Sequence, residues 1–138
     1  MGLNYVAATQ SAQTTARRIG WSAACWVART NDDLAGTLCY YDVAHFPSEP
    51  EWYRHKDVAH FAQFAVEPEL QRCGIGSALL AVLERRARAD GKAHLACDTA
   101  VDAASLIAFY EKRGFREIGR QRWPHATYES CILSKALT

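Results

Sequence analysis

The sequence is short of most features that mark a secreted, membrane-bound or nucleic-acid-binding protein. It has no charge excess: 16 basic residues face 15 acidic ones, net +1. That balance gives no electrostatic case for a nucleic-acid or membrane partner. No apolar run approaches the roughly 18–20 residues of a bilayer-spanning helix. The start, Met1-Gly2-Leu3-Asn4-Tyr5, lacks the basic flank and apolar stretch of a secretory signal, and Gly2 stands in a weak context for myristoylation. The five cysteines (Cys25, Cys39, Cys73, Cys97 and Cys131) are odd in number and include no C-x-x-C pair. Neither a zinc site nor a disulfide framework is expected from them. Four of the five sit in apolar runs, where free cysteine behaves as a small hydrophobe. A cytoplasmic, reducing setting and no bound metal are the resulting expectations. There is no internal repeat and no low-complexity segment.

What is present suits one domain spanning residues 1–138. The length is that of a single domain, and 49% apolar residues with four tryptophans are ample for a core. The most informative stretch is Gln71-Arg72-Cys73-Gly74-Ile75-Gly76-Ser77. An apolar, strand-like run, Val58 to Val66, precedes it, and an apolar periodic run to Ala89 follows. Two glycines and an arginine therefore stand at a strand–loop–helix junction. A helix start offers unpaired N–H groups and the positive end of the macrodipole, and glycine lets a ligand approach the backbone closely. The combination is an anion cradle, most naturally for phosphate.

In chain order, residues 3–8 read as a short strand or lead-in, and Thr9 to Gly20 as a helix with Arg17-Arg18 near its end and Gly20 as its stop. Cys25–Arg29 and Gly36–Tyr41 pair as a hairpin across Asn31-Asp32-Asp33. Residues 42–57 carry two prolines and several aromatics and read as a long loop, either a cover on the sheet or a flap over a pocket. Along Val58–Val66, alternation places His60, Ala62, Phe64 and Val66 on one face and Ala59, Phe61, Gln63 and Ala65 on the other. A helix from about Gly76 to Ala89 buries Leu79, Leu80, Leu83 and Ala87 and stops at Gly91. Lys92–Cys97 is then a strand parallel to the central one through that crossover. Asp102 is a candidate cap for a helix running to about Lys112, with Gly114 beyond it. Phe115–Arg122 and Thr127–Ser134 complete an α/β pattern around a mixed sheet.

A dinucleotide fingerprint is a poor fit to the glycine loop. Gly74 and Gly76 match its first two glycines and Asp98 lies near the expected distance. Leu79 stands at the third glycine position, Glu67 to Arg72 separate the glycines from the strand, and there is no room for a substrate domain.

Val66-Glu67-Pro68 followed by Gln71-x-x-Gly74-x-Gly76 instead resembles the acyl-CoA pyrophosphate loop of the GNAT superfamily of N-acyltransferases. Ile107-Ala108-Phe109-Tyr110-Glu111-Lys112-Arg113-Gly114-Phe115 is similar to that family's second signature, a helix ending in Tyr-x-x-x-Gly-Phe. The likeness covers about Cys25 to the C-terminus. It implies a mixed sheet with a splayed parallel pair, flanked by helices. The family usually opens with a strand and two helices, so the N-terminal part is shortened here.

The resemblance also implies a chemistry: an acetyl group passes from acetyl-CoA to a primary amine of a small molecule by direct attack. The backbone of Gln71, Arg72, Cys73, Gly74, Ile75, Gly76 and Ser77 would hold the pyrophosphate, with Arg72 and Arg113 as further phosphate contacts. Phe64, Ala65 and Val66 would bind the pantetheine arm, with an N–H there, that of Val66 foremost, as oxyanion donor. Tyr110 would protonate the leaving thiolate. His60 is the expected general base, with Glu67 and Asp98 in reserve. The family's asparagine before the tyrosine is absent, and Ser105 is its stand-in. Trp52, Tyr53, Tyr40, His45 and Asp98 are candidate liners of the acceptor pocket. The aromatic surplus allows a homodimer. Two other readings stay open: a non-catalytic acyl-CoA-binding sensor of the same fold, and a protein amine as acceptor.

Overall fold

The computed structural model describes residues 12–31, 33–43, 50–124 and 126–137. The expected lead-in at 3–8 and the candidate pocket residue His45 lie outside these.

Six strands form one sheet: β1 (Ala24–Thr30), β2 (Asp33–Tyr41), β3 (Val58–Val66), β4 (His94–Ala100), β5 (Arg116–Gln121) and β6 (Ser130–Ala136). Their order is β1-β2-β3-β4-β6-β5, antiparallel at every junction but β3–β4. The helices are α1 (Ala12–Gly20), α2 (Ile75–Ala89) and α3 (Ala104–Glu111), with 3-10 turns at Glu51–Arg54 and Pro68–Leu70. The expected mixed α/β sheet is present.

Local chemistry accounts for most boundaries. Asn31 turns the β1–β2 hairpin at φ 54°, a left-handed conformation that asparagine tolerates. Helix α2 buries Leu79, Leu80, Leu83 and Ala87 as its spacing predicts. Glu84, partly buried at the edge of that stripe, pairs with Lys135 of β6 at 3.0 Å. Strand β4 is covered on both faces at Leu95, Ala96 and Cys97, as a strand between a crossover helix and a second layer must be. The main core joins Leu38, Phe61, Leu83, Leu95, Tyr110 and Leu133; a smaller one on the opposite face joins Tyr53, Val58, Ala96 and Ile132.

Three expectations need correction. Simple alternation along β3 fails: Thr37 and Cys39, two apart on β2, face Ala65 and Ala62, three apart on β3. This is a β-bulge, and Gln63 within it has φ 54°. The extra residue inverts the alternation, so Phe61 and Phe64 share the helix-side face, their rings 6.1 Å apart edge to face. Asp102 does not cap α3: Ala103 holds that position with no side-chain bond. Asp102 sits one residue before the cap, in a turn that Ala103 N closes on Ala100 O, and its carbonyl accepts from Ala104 N. Gly20 closes α1 from within rather than following it.

Candidate active site

The candidate anion cradle, the glycine loop, begins where β3 ends. Gln71 donates from Nε2 to the Val66 carbonyl at 3.2 Å, tying loop to strand. Arg72 (φ 72°) and Gly74 (φ 85°) both take left-handed conformations, so the chain curls back on itself ahead of α2. Gly74 is the N-cap and no side chain caps the helix. The first helical bond runs from Ala78 N to Gly74 O, so the amides of Ile75, Gly76 and Ser77 precede the ladder. Gln71, Arg72, Cys73 and Gly74 are all exposed. A Cβ on Gly76 would come within 3.2 Å of the Phe64 ring and 3.4 Å of the Phe109 ring. Glycine there lets the helix start sit directly on the aromatic layer.

Arg113 reaches this junction from α3. Its guanidinium lies 3.6 Å from the Phe109 ring centroid, donates to the Phe109 carbonyl at 2.7 Å and donates to Ser77 Oγ. It brings a fixed positive charge to the helix start. Ser105 is exposed in the first turn of α3.

Beside the cradle the sheet opens. β3 and β4 pair only at Val58↔His94, Ala59↔Leu95 and His60↔Ala96. Beyond this point β4 continues against β6 to Ala100, and the β4-facing edge of β3 is left to a gap that reaches Val66. Phe61, Phe64, Phe109, Tyr110 and Phe115 pack on its helix side, with Tyr110 5.5 Å from Phe115, 5.6 Å from Phe109 and 5.8 Å from Phe61 between centroids. Burial, then the neighbouring Cys97 and Asp98, hold the Tyr110 pKa well above its ordinary value, so the phenol stays protonated within this aromatic layer.

On the other face, His60 lies between two tyrosines. Its ring is 4.1 Å from Tyr53 and 5.1 Å from Tyr41, nearly parallel to both. Only 3% of it is exposed, and burial lowers its pKa to about 3 despite the charge of Asp42. Tyr53 comes from the 3-10 turn and donates to Asp98 Oδ1 at 2.7 Å. Asp98 is exposed on β4, between the buried Cys97 and Thr99. Crowding raises its pKa, opposed by the Tyr53 hydroxyl and the charge of Arg18. Next to the bulge, a cavity of about 230 Å³ opens between Leu34–Thr37 and Ala65–Pro68, with Glu67 at its edge.

The sequence model described as the acetyltransferase (GNAT) family matches residues 5–115. The chain belongs to the GNAT family. Solved structures agree at the level of the fold. The chain is similar to the ribosomal-protein-S18-alanine N-acetyltransferase of Escherichia coli, at 24% identity over 94% of this chain and 78% of that one, with a TM-score of 0.73. It is similar to the IAA acetyltransferase of Bacillus cereus ATCC 14579, at 19% identity, 91% and 85% coverage and a TM-score of 0.70. A GNAT acetyltransferase of Elizabethkingia anophelis, solved with acetyl-CoA bound, aligns at 17% identity over 98% and 92% with a TM-score of 0.72. No curated protein matches. The chain is an acyl-CoA-dependent GNAT acetyltransferase.

Within this GNAT domain the expected residues fall into two groups. Phe64 to Val66, Gln71 to Ser77, Tyr110 and Arg113 gather around the gap and the cradle. His60 lies on the opposite face, enclosed by tyrosines. Tyr40 leaves the candidate acceptor pocket: it is buried on the helix side, where its hydroxyl donates to Asp90 at 2.9 Å. Trp52 stays on the Tyr53 face, donating from Nε1 to Ser134 Oγ at 3.1 Å. Sequence reasoning missed the Tyr53–Asp98 bond, which brings together residues 45 positions apart. The helix-start pattern Pro50-Glu51-Trp52-Tyr53 was its available signal. Among the described residues no group of three or more His, Cys, Asp or Glu could hold a metal ion, and no helix is long and apolar enough to cross a membrane.

Proposed function

We propose that this GNAT domain transfers the acetyl group of acetyl-CoA to a primary amine of a small molecule, by direct attack in a ternary complex. The observation that carries this reading is the gap that opens after three parallel β3–β4 pairs, with the Tyr110 ring packed against Phe61 and Phe64 of β3. The gap ends at an uncapped helix start able to hold phosphates. The pantetheine arm would run along Phe64 to Val66 and its thioester would lie over Tyr110.

The amine nitrogen attacks the thioester carbon, the carbon–sulfur bond breaks, and the Tyr110 proton passes to the departing thiolate. The proton lost by the amine needs a base. At a pKa of about 3, His60 is a weak one and is walled off by its tyrosines. Asp98 is the better match, because it is exposed, is held by the Tyr53 hydroxyl, and burial raises its pKa above the ordinary carboxylate value. His60 then serves by stacking on Tyr53, whose hydroxyl holds Asp98. The 230 Å³ cavity beside the bulge suits the body of a small amine.

The test is release of free CoA from acetyl-CoA over amines, amino acids, polyamines, aminoglycosides and peptides with free N-termini. Turnover of a small amine supports the reading. Turnover of peptides alone would move the acceptor to a protein amine, the class named for the E. coli structure of the same fold. Stabilisation by acetyl-CoA with no turnover at all would favour the sensor.

A further inference from the structure

The proposed placement of pantetheine depends on which way the last third of β3 presents its backbone, and the bulge decides that. Gln63 is a non-glycine residue at φ 54°. A strand in that state can relax by slipping one residue, and a one-residue slip sends every following side chain to the opposite face. Here the slip would take Phe64 off the layer it shares with Phe61, Phe109 and Tyr110 and turn the amides of Phe64 to Val66 away from the gap.

One side chain spans the irregularity. Thr37, on β2 opposite Ala65, donates from Oγ1 to the Gln63 carbonyl at 2.7 Å. The bond is partly buried and links residues 26 apart in sequence. It ties the Gln63 carbonyl of β3 to β2 in the bulged conformation. Thr37 also borders the cavity on the acceptor side.

We propose that Thr37 is a positioning residue of the acyl-donor site: its hydroxyl pins the bulge at Gln63 and so aims Phe64 to Val66 at the gap. This rests on the donor-site reading above, and the experiments separate the two. Thr37→Val keeps shape and branching but removes the donor, whereas Thr37→Ser keeps the donor. CoA affinity is read by calorimetry, and amide hydrogen exchange at Phe64 to Val66 is read in the ligand-free protein. Thr37→Val should weaken CoA binding about tenfold, equivalent to about 1.4 kcal/mol. It should also speed exchange at Phe64 to Val66 while leaving the β4–β6 pairs unchanged. Thr37→Ser should restore both.

Unchanged exchange in Thr37→Val, or a Thr37→Ser variant as impaired as Thr37→Val, overturns the proposal. Absence of CoA binding by the unaltered protein would refute the donor-site reading, while exchange still judges Thr37. If Thr37→Val does not fold, Gln63→Gly is added to it, because glycine holds a left-handed conformation without help. A double variant that folds with slow exchange at Phe64 to Val66 supports the proposal, and one still unfolded, or folded with fast exchange, overturns it.

Discussion

Replacing His60 by phenylalanine separates two roles for a buried histidine. In the folded protein His60 is 3% exposed and its pKa is lowered to about 3, against 6.5 for the free side chain. Above about pH 6.5 it is neutral in both folded and unfolded chains and costs nothing. As pH falls below that, the unfolded chain takes up a proton that the folded one refuses, so stability is lost progressively down to the folded pKa. The slope approaches 1.36 kcal/mol per pH unit. Between about pH 6.5 and pH 5 the loss is roughly 2 kcal/mol, or roughly 6–10 °C in Tm for a domain of this size. Phenylalanine can keep the stack between Tyr41 and Tyr53 but carries no titrating group. His60→Phe should therefore flatten the fall in Tm over that range, measured by circular dichroism in buffers of constant ionic strength. The acid limb of kcat should remain in place. Parallel melting curves for the two proteins, with an acid limb near pH 6.5 lost in the variant, would refute the argument and return His60 to the role of base.

Tyr110→Phe removes one hydroxyl from a ring packed among four others, so Kd for CoA should stay within about twofold while kcat falls about 10²–10⁴-fold; an unchanged kcat would remove the acid role. Because the Tyr110 pKa lies well above its ordinary value, no alkaline limb below about pH 10 should be attributable to this residue in a pH–rate profile. Asp98→Asn should lower kcat and raise Tm at neutral pH. A carboxyl with a raised folded pKa stabilises the fold below the unfolded value and loses that contribution as pH rises, so the gain in Tm should vanish near about pH 3.5; a variant less stable at pH 7 would contradict this. Cys73 is the only one of the five cysteines exposed, and it sits in the cradle. It should be alkylated first, and saturating CoA should slow that reaction at least about tenfold if phosphate lies against the loop, as mass spectrometry of the modified peptide would read.

The sequence spelled out the local elements around the candidate site. The glycine loop and the helix after it sit within twenty residues, and the period of Leu79, Leu80, Leu83 and Ala87 declared the buried face. Tyr110 followed from a motif of nine residues. What could not be read were properties of pairs distant in the chain. The bulge at Gln63 exists because β2 offers one residue fewer than β3 between two cross-strand contacts, and alternation within β3 alone points the wrong way. His60 is a candidate base by its strand position alone. Its enclosure comes from Tyr41 and Tyr53, and Tyr53 belongs to a segment read only as loop. The same segment supplies the hydroxyl that holds Asp98. The Asp102 expectation failed on a smaller scale, because α3 starts one residue later, with Ala103 at the cap.

The short parallel junction has a consequence for how the chain lives as well as for how it reacts. β1-β2-β3 and β4-β6-β5 are each laced by antiparallel ladders, yet only three rungs join them. A ligand lying along Phe64 to Val66 would supply the missing rungs, so the metabolite would act as a seam between two half-sheets. At a hundredfold excess over its Kd it would add about 2.7 kcal/mol to the folded state. Without acyl donor the half-sheets would be joined by those three rungs and by the cores on either face, so local opening along the seam, and proteolysis there, should be faster than in the liganded protein.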